Sequence, residues 1–212
     1  MASRDQINHN INQLFDKLEE ITPQTPDILA VTKYASIEET RSVVESGRIH
    51  LFGENRFQDS EEKINCFPDK VWHFIGRLQS NKVSKVVGSF CCIQSVDSMK
   101  LANRIGQVAQ NNGKEMPVLV QINAGEEEAK SGFSLEEIQQ FQEELFSIKG
   151  ICIEGIMVVA PIMNEESIQA SLFRKANKLF EKWQQHSKIV KTLSMGMSND
   201  FHVALREGAT MI

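Results

Sequence analysis

The sequence predicts an α/β fold, a single (β/α)8 TIM-type barrel with an extra N-terminal helix and a truncated eighth strand. Three observations predict it. Short apolar runs alternate with amphipathic helical patterns eight times. No hairpin signal joins consecutive runs, so the strands are parallel with helical crossovers. Eight repeats favour a closed barrel over an open sheet, and no G-x-G-x-x-G run follows the first strand to mark a dinucleotide fold. The 212 residues suit one such domain, spanning 1–212.

Residues Arg4 to Ile21 form the extra helix, with Ile7, Ile11, Leu14, Phe15 and Leu18 at helical spacing. Pro23 and Pro26 stop it. Ile28 to Tyr34 is the first strand: short, apolar and bounded by Pro26 and Ser36. Ser36 and Glu39 make a capping box that opens a helix to Gly47. Ile49–Gly53 is the second strand, and Glu54-Asn55 opens a helix towards Cys66. Val71–Gly76 is the third strand, followed by a helix from Gln79 to Val87 with Gly88 after it. Phe90–Val96 is the fourth, and Asp97 caps a helix to Asn112-Gly113. Pro117–Asn123 is the fifth, followed by a polar loop from Ala124 to Phe133. Ser134 and Glu137 form a second capping box, opening a helix to Ile148. Ile151–Val159 is the sixth strand. A long amphipathic pattern runs from Glu165 to His186, its apolar face assigned to core packing. Ile189–Ser194 is the seventh strand, Ser198 caps a short helix to Glu207-Gly208, and Ala209–Ile212 starts the eighth.

Composition excludes several functions. A 41% hydrophobic and 24% charged chain is an ordinary globular one. A net charge of -5 argues against nucleic acid as the partner. The cysteines Cys66, Cys91, Cys92 and Cys152 show no Cys-x-x-Cys spacing and no accompanying His cluster, so no metal site is expected. Cys91, Cys92 and Cys152 lie in apolar runs and read as core thiols in a reducing compartment. Met1–Asn12 lacks an apolar h-region and no stretch is long enough to span a bilayer, so a cytoplasmic location with no membrane partner is expected.

Barrels place their chemistry at the C-terminal ends of the strands. Lys33 ends the first strand, and a lysine there needs a reason, because its ammonium is strongly hydrated. It either reaches out of the mouth or pairs with a carboxylate, or it is kept partly desolvated so that its amine can form an imine with an aldehyde. The second strand delivers Gly53, Glu54 and Asn55. The third delivers His73, Gly76 and the run Gln79-Ser80-Asn81-Lys82, and the fifth leads to Asn123 and Lys130-Ser131-Gly132. The sixth delivers Met157 and Pro161. The seventh delivers Ser194-Met195-Gly196-Met197-Ser198-Asn199-Asp200, a small, polar run entering a helix. Its amides either cradle an anion or simply make a capped turn. A reactive amine facing a phosphate cradle suits a phosphorylated aldehyde. Pyridoxal 5'-phosphate is one; a sugar-phosphate aldolase would need the same two parts.

Six motifs together resemble the pyridoxal phosphate homeostasis proteins, the YggS/PROSC family. They are Ile28–Lys33, Phe52–Asn55, Trp72–Gly76, Leu78–Lys82, Lys130–Gly132 and Leu193–Ser198, in the family's order over nearly the whole chain. The resemblance implies a single barrel like the N-terminal domain of alanine racemase, holding the cofactor as an internal aldimine. It implies that Lys33 is the Schiff-base lysine and that Ser194, Met195, Gly196, Met197 and Ser198 hold the phosphate. Asn55, His73, Gly76 and Met157 would line the pocket. The implied role is intracellular vitamin B6 homeostasis without established catalysis, as a monomer that passes the cofactor to apoenzymes. The family continues beyond the position of Ile212 with Arg-x-Gly and a short Ile/Leu-Phe-Gly tail, whose arginine belongs to the phosphate site. The sequence stops at Ile212, so either it is truncated or the phosphate is held with fewer contacts; the expectation is weaker cofactor retention than in relatives, and a dissociation constant equal to that of a tail-extended version would refute it.

The competing reading is a pyridoxal phosphate enzyme such as an amino-acid racemase. A two-base racemase needs a second acid/base opposite the lysine, and in the alanine racemase family a second domain supplies a tyrosine. The single tyrosine here, Tyr34, directly follows Lys33, and neighbouring strand residues point to opposite faces. His73 or a cysteine would have to serve instead. Lys82 and Lys130 are the next candidates for the imine should Lys33 not form it.

Overall fold

The computed structural model describes residues 2–125, 131–160 and 165–212. Helix α1 (Arg4–Ile21) leads into β1 (Leu29–Val31), α2 (Ile37–Glu45), β2 (Leu51–Glu54), α3 (Phe57–Cys66) and β3 (Val71–Phe74). A 3-10 turn (Ser80–Lys82) precedes α4 (Val83–Ser89). Then come β4 (Cys92–Val96), α5 (Met99–Asn111), β5 (Met116–Ile122), α6 (Leu135–Ser147), β6 (Ile151–Val158), α7 (Glu166–His186), β7 (Thr192–Met195) and α8 (Phe201–Arg206). All of the strands pair in parallel, in chain order from β1 to β7.

The expected eighth strand is the short segment Thr210–Ile212, and it closes the barrel. Met211 bridges in parallel to both Ser194 and Asp27. On the β7 side, Met195 N donates to Met211 O at 3.1 Å and Thr210 N to Leu193 O at 3.0 Å. On the β1 side, Leu29 N donates to Ile212 O at 2.8 Å and Ile212 N to Asp27 O at 2.9 Å. The backbone groups along both flanking edges are thus paired, as buried amides must be.

The strands sort their side chains by parity. Ala30, Phe52 and Trp72 are in register, as are Phe74 and Ile93, and these face the helices. Val31, Gly53, His73 and Cys92 form the alternate row, facing the barrel interior, and Gln121, Met157 and Ser194 continue it on the far side. The main core is therefore the layer between sheet and helices, where Trp72, Ile93, Phe173 and Trp183 are almost wholly buried. Cys92, Leu119 and Met157 make a separate small cluster inside the barrel.

Both expected capping boxes are present, at Ser36–Glu39 and Ser134–Glu137. Other boundaries moved, each for a local reason. Strand β1 stops at Val31, because a turn closed by Ala35 N donating to Thr32 O (2.9 Å) takes the chain off the sheet. Ser98 rather than Asp97 caps α5, its hydroxyl accepting from Leu101 N. Asp200 rather than Ser198 precedes α8, and its carboxylate accepts from Met197 N. Asn55 lies before α3, not inside it. Gly88 sits within α4 rather than after it. Of the expected core thiols, Cys92 is buried, but Cys152 is only partly covered and Cys91 is exposed, since it precedes β4 on the outer side. Among the described residues no helix is long and apolar enough to cross a membrane, and no cluster of potential metal ligands occurs.

Candidate functional site

Lys33 sits in the turn that follows β1, half-buried at the C-terminal mouth of the barrel. Among the described residues its ammonium has no carboxylate partner and no hydrogen bond; its one contact is the face of Tyr34, with Nζ 5.2 Å from the ring centroid. No ion pair among the described residues accounts for its position. The ring contact corrects the expectation that Tyr34 points away from Lys33. The two residues occupy a turn, not an extended strand, so strand alternation does not apply. Tyr34 itself is 91% exposed.

Directly behind this turn lies a charged clamp that faces the helices. Glu54, wholly buried at the end of β2, accepts from Lys63 of α3 at 2.8 Å and from the Thr32 hydroxyl at 2.6 Å. Lys63 Nζ also donates to Thr32 O. The residue next to Lys33 is therefore held at both its side chain and its carbonyl. Sequence reading placed Glu54 at the mouth with Asn55; strand parity turns it outward instead. The signal available was a lysine at position 63, nine residues on, inside an otherwise amphipathic helix.

Inside the barrel, polar groups converge on Gln94, a residue that sequence reading missed. Its side-chain amide donates to His73 Nδ1 at 2.8 Å and approaches Met211 Sδ at 3.2 Å, and its carbonyl accepts from the Ser194 hydroxyl at 2.8 Å. With Nδ1 accepting, the bond assigns the proton of neutral His73 to Nε2. Burial without a carboxylate neighbour lowers the His73 pKa from 6.5 to about 4. His73 thus contributes stability in full above pH 6.5 and loses it as pH falls towards 4, because the unfolded chain takes up the proton first. The interval from 6.5 to about 4 corresponds to roughly 3 kcal/mol. Denaturant titrations at pH 7 and pH 4.5 should show that difference shrinking in a His73→Asn variant, whereas an unchanged pH dependence would dissociate His73 from it.

Asn55 and Gly76 meet at the mouth. A Cβ on Gly76 would stand 2.1 Å from Asn55 O, so only glycine lets the loops after β2 and β3 approach so closely. The Ser95 hydroxyl donates to Gly76 O at 2.6 Å and fixes it from β4. Across the barrel, Ser194 leads into a turn where Gly196 has φ +96°, a conformation that favours glycine, and a Cβ there would meet Ala204 Cβ at 2.7 Å. Met197 and Ser198 lie exposed on that turn. Met195 points outward into the main core, so only its backbone borders the mouth. Met157 belongs to the interior cluster. Ser131 is tied to β5 through Gln121 Nε2 donating to its carbonyl (2.9 Å). Lys130 and Pro161 lie outside the described residues. Lys82 does not line the mouth with Lys33; it lines a cleft that extends from Asn55 and Gly76 to the loop after β4.

The profile of the alanine racemase N-terminal domain matches residues 2–212. The pyridoxal phosphate homeostasis protein of Haemophilus influenzae is 34% identical over 97% of this chain and 92% of its own length. That of Synechocystis sp. is 36% identical over 90% of this chain and 88% of its own length. The chain belongs to this family. The structure of PipY from Synechococcus elongatus, solved with PLP bound, superposes with a TM-score of 0.86 at 31% identity, covering 98% of this chain and 96% of PipY. An alanine racemase of Clostridium difficile shares only the fold, at 15% identity and a TM-score of 0.71, with this chain spanning 50% of it. The family and the barrel expected from the six motifs are thereby both met.

Proposed function

We propose that this chain binds pyridoxal 5'-phosphate through Lys33 and serves intracellular vitamin B6 homeostasis as a carrier. The observation that carries this reading is the Lys33 amine, unpaired among the described residues, half-buried at a barrel mouth and set beside a clamp on its neighbour. PipY was solved with PLP bound, and relatives are named for pyridoxal phosphate homeostasis. When bound, the cofactor supplies an aldehyde that an amine can capture and a phosphate dianion. The residues present fit both demands. Lys33 offers the amine. Of the turn Met195–Ser198, the backbone amides of Gly196 and Ser198 are left among the described residues as donors for the phosphate, since Met195 N donates to Met211 O, Met197 N to Asp200 and the adjoining Ser194 hydroxyl to Gln94; Gly196 keeps the turn close-packed. His73, Asn55, Gly76 and Met157 would border the ring; burial keeps His73 neutral and the Gln94 amide donates to its Nδ1, so it serves as a hydrogen-bonding group rather than a cation.

Carriage is favoured over racemisation because, among the described residues, none of the groups considered for the second acid/base of a two-base enzyme is poised for it. Neutral His73 uses Nδ1 on Gln94, and Cys92 is driven well above its usual thiol range by burial. Tyr34 stands beside Lys33, not opposite it. We further propose that the chain works in the cytoplasm as a monomer and that apoenzymes lacking the cofactor receive it. Mixing the protein with pyridoxal 5'-phosphate should give near-visible absorbance, and borohydride should then fix a mass adduct on Lys33. Lys33→Ala should abolish both signals; a yellow Lys33→Ala protein would transfer the role to Lys82 or Lys130.

A further inference from the structure

We infer that the cleft beyond Gly76 is a second ligand site, for small organic molecules carrying two or more anionic groups. The cleft measures about 1130 Å³ and is walled by the loops after β2, β3 and β4, on the face where barrels bind ligands. Arg56, Arg77, Lys82 and Lys100 line it, against the single carboxylate of Asp97. This concentration of positive charge occurs in a chain of net charge -5. Among the described residues none of these cations forms an ion pair or a side-chain hydrogen bond, although ion pairs occupy Arg4, Arg174 and Arg206 elsewhere on the surface. The cleft's inner edge is rigid. The Gly76 backbone is pressed against Asn55 O and held by the Ser95 hydroxyl, which fixes the chain position from which Arg77 projects. The almost wholly buried side chains of Phe57, Phe74 and Leu78 border the cleft beneath these polar groups. The uncommitted side chains of Gln79 and Asn81 add neutral donors.

A space this large exceeds what a single oxyanion fills, and a cluster of like charges gains most from a ligand of multiple opposite charge. Phosphate esters and polycarboxylates share this chemistry. The cleft adjoins the proposed cofactor pocket and shares Asn55 and Gly76 with it, but neither Lys33 nor any residue of Ser194–Ser198 lines it.

Isothermal titration of the full chain with inorganic pyrophosphate and, separately, with citrate tests the proposal. Binding of at least one is expected, weakening with added salt. The affinity should fall about tenfold or more in an Arg77→Gln/Lys82→Gln double variant, in which two charges are removed, and should persist in Lys33→Ala. Lys100→Glu, on the exposed first turn of α5, provides an independent variant expected to act the same way. Pyrophosphate alone would narrow the class to phosphate esters, citrate alone to polycarboxylates. Binding of neither, or an affinity unchanged in both sets of variants, would overturn the assignment.

Discussion

Lys63→Met is expected to cost about 3–5 kcal/mol of folding stability, because it strands the Glu54 carboxylate in the core with no cation. Glu54 is wholly buried, and among the described residues its second carboxylate oxygen has no hydrogen-bond partner. The ion pair with Lys63 is therefore its principal compensation. Guanidinium denaturation of the two proteins measures the difference. The double variant Glu54→Gln/Lys63→Met should recover much of the loss, since no buried charge remains. A single variant as stable as the parent would show that the pair contributes nothing. The clamp also reaches the site, because Lys63 holds the carbonyl of Thr32 beside Lys33. Conditions under which Lys63→Met stays folded should therefore show slower attachment of pyridoxal 5'-phosphate to Lys33.

Gly76→Ala is expected to be nearly as damaging, at about 3 kcal/mol, the upper part of the range for overpacking. The added methyl would have to displace backbone, not a flexible side chain: the nearest atom is Asn55 O, 2.1 Å from the Cβ position. Relief requires the loops after β2 and β3 to part, which moves Asn55 as well. Thermal unfolding should show the loss directly. A Tm within a degree or two of the parent would mean that the loops yield freely. Gly88→Ala is the control, because nothing lies within 4 Å of its Cβ position and it stands in a helix.

The alternation of strand and helix was legible because each strand is a short apolar run with a break after it. Capping boxes at Ser36 and Ser134 were legible because their hydrogen bonds are local. Facing was less so. Glu54 and Asn55 are adjacent in sequence, yet Glu54, the last residue of β2, shares the helix-facing parity of Phe52, while Asn55 lies beyond the strand and meets Gly76 at the mouth. Parity likewise turns Met195 outward while Ser194 stays inside. Gln94 escaped notice because a lone glutamine in a strand carries no local signal. Its partners are 21, 100 and 117 residues away. Lys33 stands out in the sequence as a charge ending an apolar run, but its setting in a turn beside Tyr34 depends on the Ala35–Thr32 hydrogen bond, which the apolar run conceals.

The Gln94 junction has a consequence for the order of events as the polypeptide folds. It joins β3 and β4 to Ser194 and Met211, contacts that span up to 117 residues. Such distant contacts form late, after local helix–strand units have collapsed. The interior pocket is thus among the last parts of the molecule to acquire shape, and an incompletely folded chain lacks it even when Lys33 and its clamp are already in place. Cofactor capture then acts as a report that the ring has shut, and loading of a newly made chain should lag behind its gain of helix.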